Sequence, residues 1–225
     1  MPTIHKNYYN IFMSIGFACI LMTSCVTAEI NTDTELPQIF DSITLDNSIP
    51  TPKSVIGFEV GDDAVSYDSL IRYLKILAQA SDYVSIEPHG ITHEGRTLYH
   101  LIITSKENFR KLDNIKSDNA KLSDPRNMSD SENEALRIID DLPGIAWLAY
   151  SIHGDELSPC DSAMMLAYML AAGTDEHTKQ LRNELVILID PLQNPDGRER
   201  YLAQIKTMRG KVPNHDIQAM HHAGS

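Results

Sequence analysis

Two short apolar runs, Ile145–Ile152 and Leu185–Ile189, constrain this chain more than any other feature. Each is almost wholly apolar, the pattern of a strand covered on both faces rather than one with a wet side. Between them, Ser158, Pro159 and Asp161 read as an N-cap, an N1 proline and an acidic N3 residue. The helix they open runs to about Ala172, with Ala163, Leu166, Ala167, Leu170 and Ala171 on one face and Gly173 to close it. Strand, helix, strand in that order calls for a right-handed parallel crossover. The expected class is α/β, a mixed, largely parallel sheet with flanking helices.

In such sheets functional residues collect beyond the carboxyl ends of the strands. Ile152 is followed by His153-Gly154-Asp155-Glu156, and Ile189 by Asp190-Pro191-Leu192-Gln193, which leads into Asn194-Pro195-Asp196-Gly197. A neutral imidazole and a carboxylate three residues apart in a tight turn can grip one zinc ion. A turn leaving a buried strand directly ahead of a capped helix would hold such ligands rigidly. By contrast, His89 and His93 have helical i, i+4 spacing, but Pro88 and Gly90 forbid the helix that would use it. Cys160, inside the start of the helix, reads as a buried and inert thiol. No Gly-rich phosphate loop and no Gly-x-Ser-x-Gly elbow occurs.

The first half is less regular. Leu70, Ile71, Leu74, Leu77 and Ala78 recur at helical spacing over Tyr67–Ala80, behind Ser66 as a cap. Tyr83–Glu87 and Thr97–Thr104 are β-rich and joined by a turn containing Gly90 and Gly95, which predicts a hairpin. Ser105–Glu134 is polar, with one short helix expected near Asn108–Ile115 on a surface excursion. Across the chain, 19 Lys+Arg against 31 Asp+Glu give a net charge of −12 with no basic run, which argues against nucleic acid as a partner.

The N-terminal segment carries His5 and Lys6 and then an apolar run, Ile11–Met22. That run fits a signal-peptide core and falls short of the roughly 20 residues that span a bilayer. Leu21-Met22-Thr23-Ser24-Cys25 resembles a bacterial lipobox with Cys25 as the acylated residue; Val26-Thr27-Ala28 offers an alternative cleavage after Ala28. The expected organisation is a signal peptide over 1–24, a polar, proline-bearing tether over 25–53 and a partial globular domain from 54 to 225. The expected location is extracytoplasmic: the periplasm, with a lipid anchor to the outer membrane as the only membrane contact.

From about Ser66 to Arg209 the landmarks occur in the order of a known family. These are the helix at Tyr67, Gly90-Ile91-Thr92-His93-Glu94-Gly95-Arg96 with Leu98 and Tyr99, His153-x-x-Glu156, and Asn194-Pro195-Asp196-Gly197. Together they resemble the zinc carboxypeptidases of the carboxypeptidase A type. The resemblance implies a zinc exopeptidase fold, Zn2+ as cofactor, and His153 and Glu156 as the first two zinc ligands. It also implies that Arg209 is the catalytic and substrate-binding arginine that polarises the scissile carbonyl. The substrate implied is a peptide or protein C-terminus.

The resemblance further implies a third zinc ligand, an Asn-Arg pair for the substrate carboxylate and a catalytic glutamate, all beyond the arginine, where only Gly210–Ser225 follow. His221 and His222 are poor substitutes, since no Asn-Arg pair precedes them. The domain is therefore expected to be incomplete at its C-terminal end, with exposed sheet edges and little or no turnover by this chain alone. Two other functions stay open: a zinc-dependent deacylase of N-acyl amino acids, and a non-catalytic binding module. The turn at Glu94-Gly95-Arg96, expected to serve structure rather than catalysis, and the turn expected at Asn194-Pro195-Asp196-Gly197 favour the peptidase over the deacylase.

Overall fold

The computed structural model describes residues 43–124, 126 and 131–208. The signal peptide, Cys25, Arg209 and the His221-His222 pair lie outside them. In the described part of the segment read as a tether, the chain is already packed. Leu45 bridges to Gly173, Asp46 N–H donates to Ala172 O at 2.7 Å, and Ile49 enters the core. A short helix, α1 (Pro52–Ile56), follows, capped by Thr51. Leu45 meets the end of a core helix and Ile49 is buried, so packing begins before residue 54.

Helix α2 (Tyr67–Ala80) forms as its periodicity requires, with Ser66 Oγ accepting from Ser69 N–H and Leu70, Ile71, Tyr73, Leu74 and Leu77 buried. The hairpin pairs β1 (Val84–Ile91) with β2 (Thr97–Ile103) antiparallel, and a bulge sits between Pro88 and Gly90. Gly90 therefore belongs to the strand. Gly95, at φ +81°, makes the turn, a conformation glycine adopts without a Cβ penalty.

The expected single short helix near Asn108 is corrected to three helices: α3 (Lys106–Arg110), α4 (Leu112–Ser123) and α5 (Ser131–Asp141). Ile115, Phe109 and Leu112 pack on Ile102 and Val186, so α3 and α4 cover part of the second face of the sheet, while α5 lies against α4 with Leu136 and Ile139 exposed.

The crossover is present. Strand β3 (Gly144–Ala149) leads through α6 (Leu157–Ala172) and a further helix, α7 (Glu176–Glu184), to β4 (Leu185–Asp190), which pairs with β3 in parallel. The described sheet is mixed, in the order β1-β2-β4-β3, with helices against it. Parallel pairing is confined to β3–β4, while β2–β1 and β2–β4 are antiparallel. Leu101, Ile103, Ile187 and Ile189 face α2 and α6 in the main core, and Ile102 and Val186 point the other way, as strand alternation dictates.

Burial on both faces holds for β4 but not for β3. Ala146 and Leu148 meet the main core, whereas Ile145 and Trp147 are exposed, Trp147 at 68%. The reason is position: β3 is the last strand in the order, and no described element covers its outer face. The start of α6 also moves. Glu156 occupies the N-cap, so Ser158 and Pro159 lie inside the first turn, where proline is tolerated. At its other end Gly173 is extended, and the buried Arg182 donates to Leu170 O at 2.7 Å and Gly173 O at 2.9 Å, satisfying the last carbonyls in place of a left-handed cap.

Candidate metal-binding turn

Strands β3 and β4 end side by side, and their loops stay together. Tyr150 N–H donates to Asp190 O at 2.9 Å, Gln193 N–H to Tyr150 O at 3.1 Å and Asn194 N–H to Ser151 O at 3.1 Å. The turn carrying His153 and Glu156 is thereby fastened to the segment that opens the last described helix, α8 (Pro195–Met208). Ser151 holds φ +55°, a left-handed conformation costing a non-glycine residue about 1–2 kcal/mol, which turns the chain sharply out of the strand. Its Oγ and Asp190 Oδ1 are buried without a hydrogen-bond partner among the described residues.

His153 and Glu156 are both exposed on this turn, and the Glu156 side chain makes no capping hydrogen bond at the start of α6. Its carboxylate is thus not spent on the helix. A histidine and a glutamate are donor types that zinc takes, and a catalytic zinc needs three protein ligands. Among the described residues no three His, Cys, Asp or Glu side chains form a group able to hold a metal ion. The residues present therefore fit two positions of a zinc site.

The Asn-Pro-Asp-Gly segment, read from sequence as a turn, is a helix start. Asn194 Oδ1 accepts from Gly197 N–H at 2.9 Å, and Pro195 stands at the first helical position. Asp196 ties this start to the hairpin turn, accepting from Thr92 Oγ1 at 2.8 Å, Glu94 N–H at 3.2 Å and Arg96 at 2.7 Å. Burial opposes the charge on Asp196, yet these donors hold its carboxyl below the usual range. Glu94, Gly95 and Arg96 thus have the structural use expected of them.

Arg198, in the first turn of α8, is the most buried charged side chain among the described residues. It is fully buried and donates to Val65 O at 2.8 Å, Leu157 O at 2.9 Å and Asp161 Oδ1 at 2.8 Å. It therefore bolts α8 to the first turn of α6, directly behind Glu156. Burial pushes the Asp161 carboxyl up to about 6 even with Arg198 beside it.

On the other side of Asp190 lies a polar line across the sheet. His89 Nε2 is 4.0 Å from Asp190 Oδ2, the His89 and His100 rings are 5.4 Å apart, and His100 Nε2 is 3.8 Å from Glu87. Burial lowers the pKa of His100. His89 and His93 do not share a helix, as Pro88 and Gly90 require; His89 lies at the bulge of β1 with its ring against that of His100 on β2.

A model of the zinc carboxypeptidase family matches residues 70–218, well over half of the chain. The chain belongs to the zinc carboxypeptidase family. Comparison with curated proteins found no match. Among solved structures, the chain is similar to carboxypeptidase A from Helicoverpa armigera, at 20% identity and TM-score 0.46, covering 69% of this chain and 30% of that one. It is also similar to thrombin activatable fibrinolysis inhibitor, at 14% identity and TM-score 0.43, covering 67% and 29%. The chain thus spans less than a third of the length of these two solved structures.

Cys160 lies at the start of α6 and is fully buried, with burial pushing its thiol up to about 12. A thiol so far from ionised and so enclosed is a poor nucleophile. In the native protein at pH 8, Cys160 should resist iodoacetamide and become reactive only in denaturant, as read by peptide mass; rapid native labelling would contradict its placement.

Proposed function

We propose that this chain belongs to a metallopeptidase that hydrolyses C-terminal peptide bonds, and that His153 and Glu156 supply two of its zinc ligands. The observation that carries the reading is the free carboxylate of Glu156 on the same short turn as His153, at the end of a parallel strand, within a chain of the zinc carboxypeptidase family. Zinc bound there would supply a Lewis acid and a water acidic enough to attack near neutral pH. The chain's own contribution is orientation: the turn is fixed by Asn194 and Gly197 on one side and by α6 on the other. Arg209, outside the described residues, is proposed as the cation that meets the substrate carbonyl.

Residues 1–225 alone are proposed to have little or no turnover, since among the described residues only His153 and Glu156 are candidate ligands, and two protein ligands lack the third bond that sets metal geometry. Zinc content after dialysis and hydrolysis of blocked dipeptides test this together. The expected result is zinc retention lost in both His153→Ala and Glu156→Ala, with hydrolysis at or near background. Equal zinc in wild type and both variants would overturn the ligand assignment, and vigorous zinc-dependent hydrolysis would overturn the proposed inactivity.

A further inference from the structure

We propose that Asn194 is the positioning residue of the metal-binding turn, acting through hydrogen bonds that only an asparagine can complete; this rests on the reading of His153 and Glu156 as zinc ligands. The residue does two separable jobs. As the residue ahead of α8 it caps the helix, its Oδ1 accepting from Gly197 N–H at 2.9 Å. Asp, Ser or Thr would serve that purpose about as well. Its second job is different: Nδ2 donates to Ile152 O at 3.1 Å, on the residue directly before His153. A carboxylate or hydroxyl at this position cannot cap with one atom and donate from an amide nitrogen with another. The amide orientation is fixed by its surroundings, because only one of the two places an acceptor toward an N–H and a donor toward a C=O.

The backbone of Asn194 adds to the same tie. Its N–H donates to Ser151 O at 3.1 Å, and its C=O accepts from Arg198 N–H at 3.1 Å. The successive carbonyls of Ser151 and Ile152 are both taken by this one residue. Space for the arrangement comes from two glycines. A Cβ on Gly154 would lie 2.1 Å from Gly197 C, and a Cβ on Gly197 would lie 2.7 Å from Asn194 Nδ2. The turn therefore presses backbone against backbone on the helix start, with the Asn194 amide fitted beside Gly197. Groups that orient metal ligands from behind typically change metal affinity 10–100-fold when removed.

The distinguishing variant is Asn194→Asp, which keeps the cap but replaces the donor facing Ile152 O with an acceptor. The probe is Co2+ alone, titrated against residues 1–225 and followed by its visible absorption, with His153→Ala and the core variant Ile187→Val as references. Asn194→Asp should bind Co2+ at least about 10-fold more weakly than wild type, with melting no lower than that of Ile187→Val, which should keep wild-type affinity. Wild-type affinity in Asn194→Asp, or an equal loss of affinity in Ile187→Val, would overturn the inference and leave Asn194 a cap only.

A metal-free arm separates this from the reading on which it rests. Amide hydrogen exchange across residues 151–156 should speed up in Asn194→Asp without any metal; unchanged exchange would overturn the positioning role. If exchange speeds up while His153→Ala binds Co2+ like wild type, the tie is supported and the ligand assignment fails.

Discussion

Replacing Arg198 with alanine should remove about 3–5 kcal/mol of stability at pH 7.5, the loss expected when one partner of a buried ion pair is deleted. Arg198 is fully buried and Asp161 nearly so, at 7% exposure. The substitution strands the carboxylate and also strips Val65 O and Leu157 O of their donor. The loss should depend on pH with a definite sign. Asp161 already sits near 6, above its ordinary 3.8, because burial disfavours its charge. Without Arg198 the folded pKa rises further, so the unfolded state releases the proton first and the variant loses stability as pH rises through that window. The gap between wild type and variant should therefore narrow from pH 8 to pH 5. Urea unfolding at the two pH values measures it. A loss below about 1 kcal/mol, or a gap that widens on acidification, would contradict the bolt described here.

Gly154→Ala should cost about 3 kcal/mol, the upper end for overpacking, because the new methyl meets main chain rather than a yielding side chain. Its Cβ would stand 2.1 Å from Gly197 C and 2.3 Å from Arg198 N. The turn and α8 must then separate, pulling on Asn194 and on the peptide between Ile152 and His153. Gly90→Ala is the matched comparison: there the nearest atom is the Leu98 side chain at 3.4 Å, an ordinary contact. That variant should range from neutral to about 1 kcal/mol more stable, through a less flexible unfolded chain. Equal melting temperatures for the two variants would contradict the close approach at Gly154.

The contrast between these glycines marks what sequence makes legible. Local signals were sufficient for α2, for β4 and for the crossover, because apolar periodicity and a run of five aliphatic residues depend on near neighbours alone. The polar helices α3 and α4 were hidden, since their stability comes from Ile115 and a few companions packing on Ile102 and Val186, across the sheet. The apolar run of β3 revealed a strand without telling how many neighbours cover it, and Trp147 is exposed. Similarly, Ser158-Pro159 carries the pattern of a helix start, but Glu156 takes the cap because Pro159 is tolerated two residues further in.

At the candidate site, His153, Glu156 and the Asn-Pro-Asp-Gly segment were visible as motifs. What joins them was not: Arg198 reaches Asp161 and Val65, and Asp196 reaches the hairpin turn near residue 94, over separations no local pattern encodes. Asn194 carried one available signal, its place before a proline at a helix start. That signal announces a cap and is silent about Ile152.

The most direct measurement is zinc K-edge X-ray absorption of the zinc-loaded chain beside His153→Ala. The account predicts a first shell of nitrogen and oxygen donors with the outer-shell scattering of an imidazole, and loss of that imidazole contribution in His153→Ala. Imidazole scattering of equal strength in both proteins would place the metal elsewhere and contradict the assignment of the turn after β3 as the zinc site.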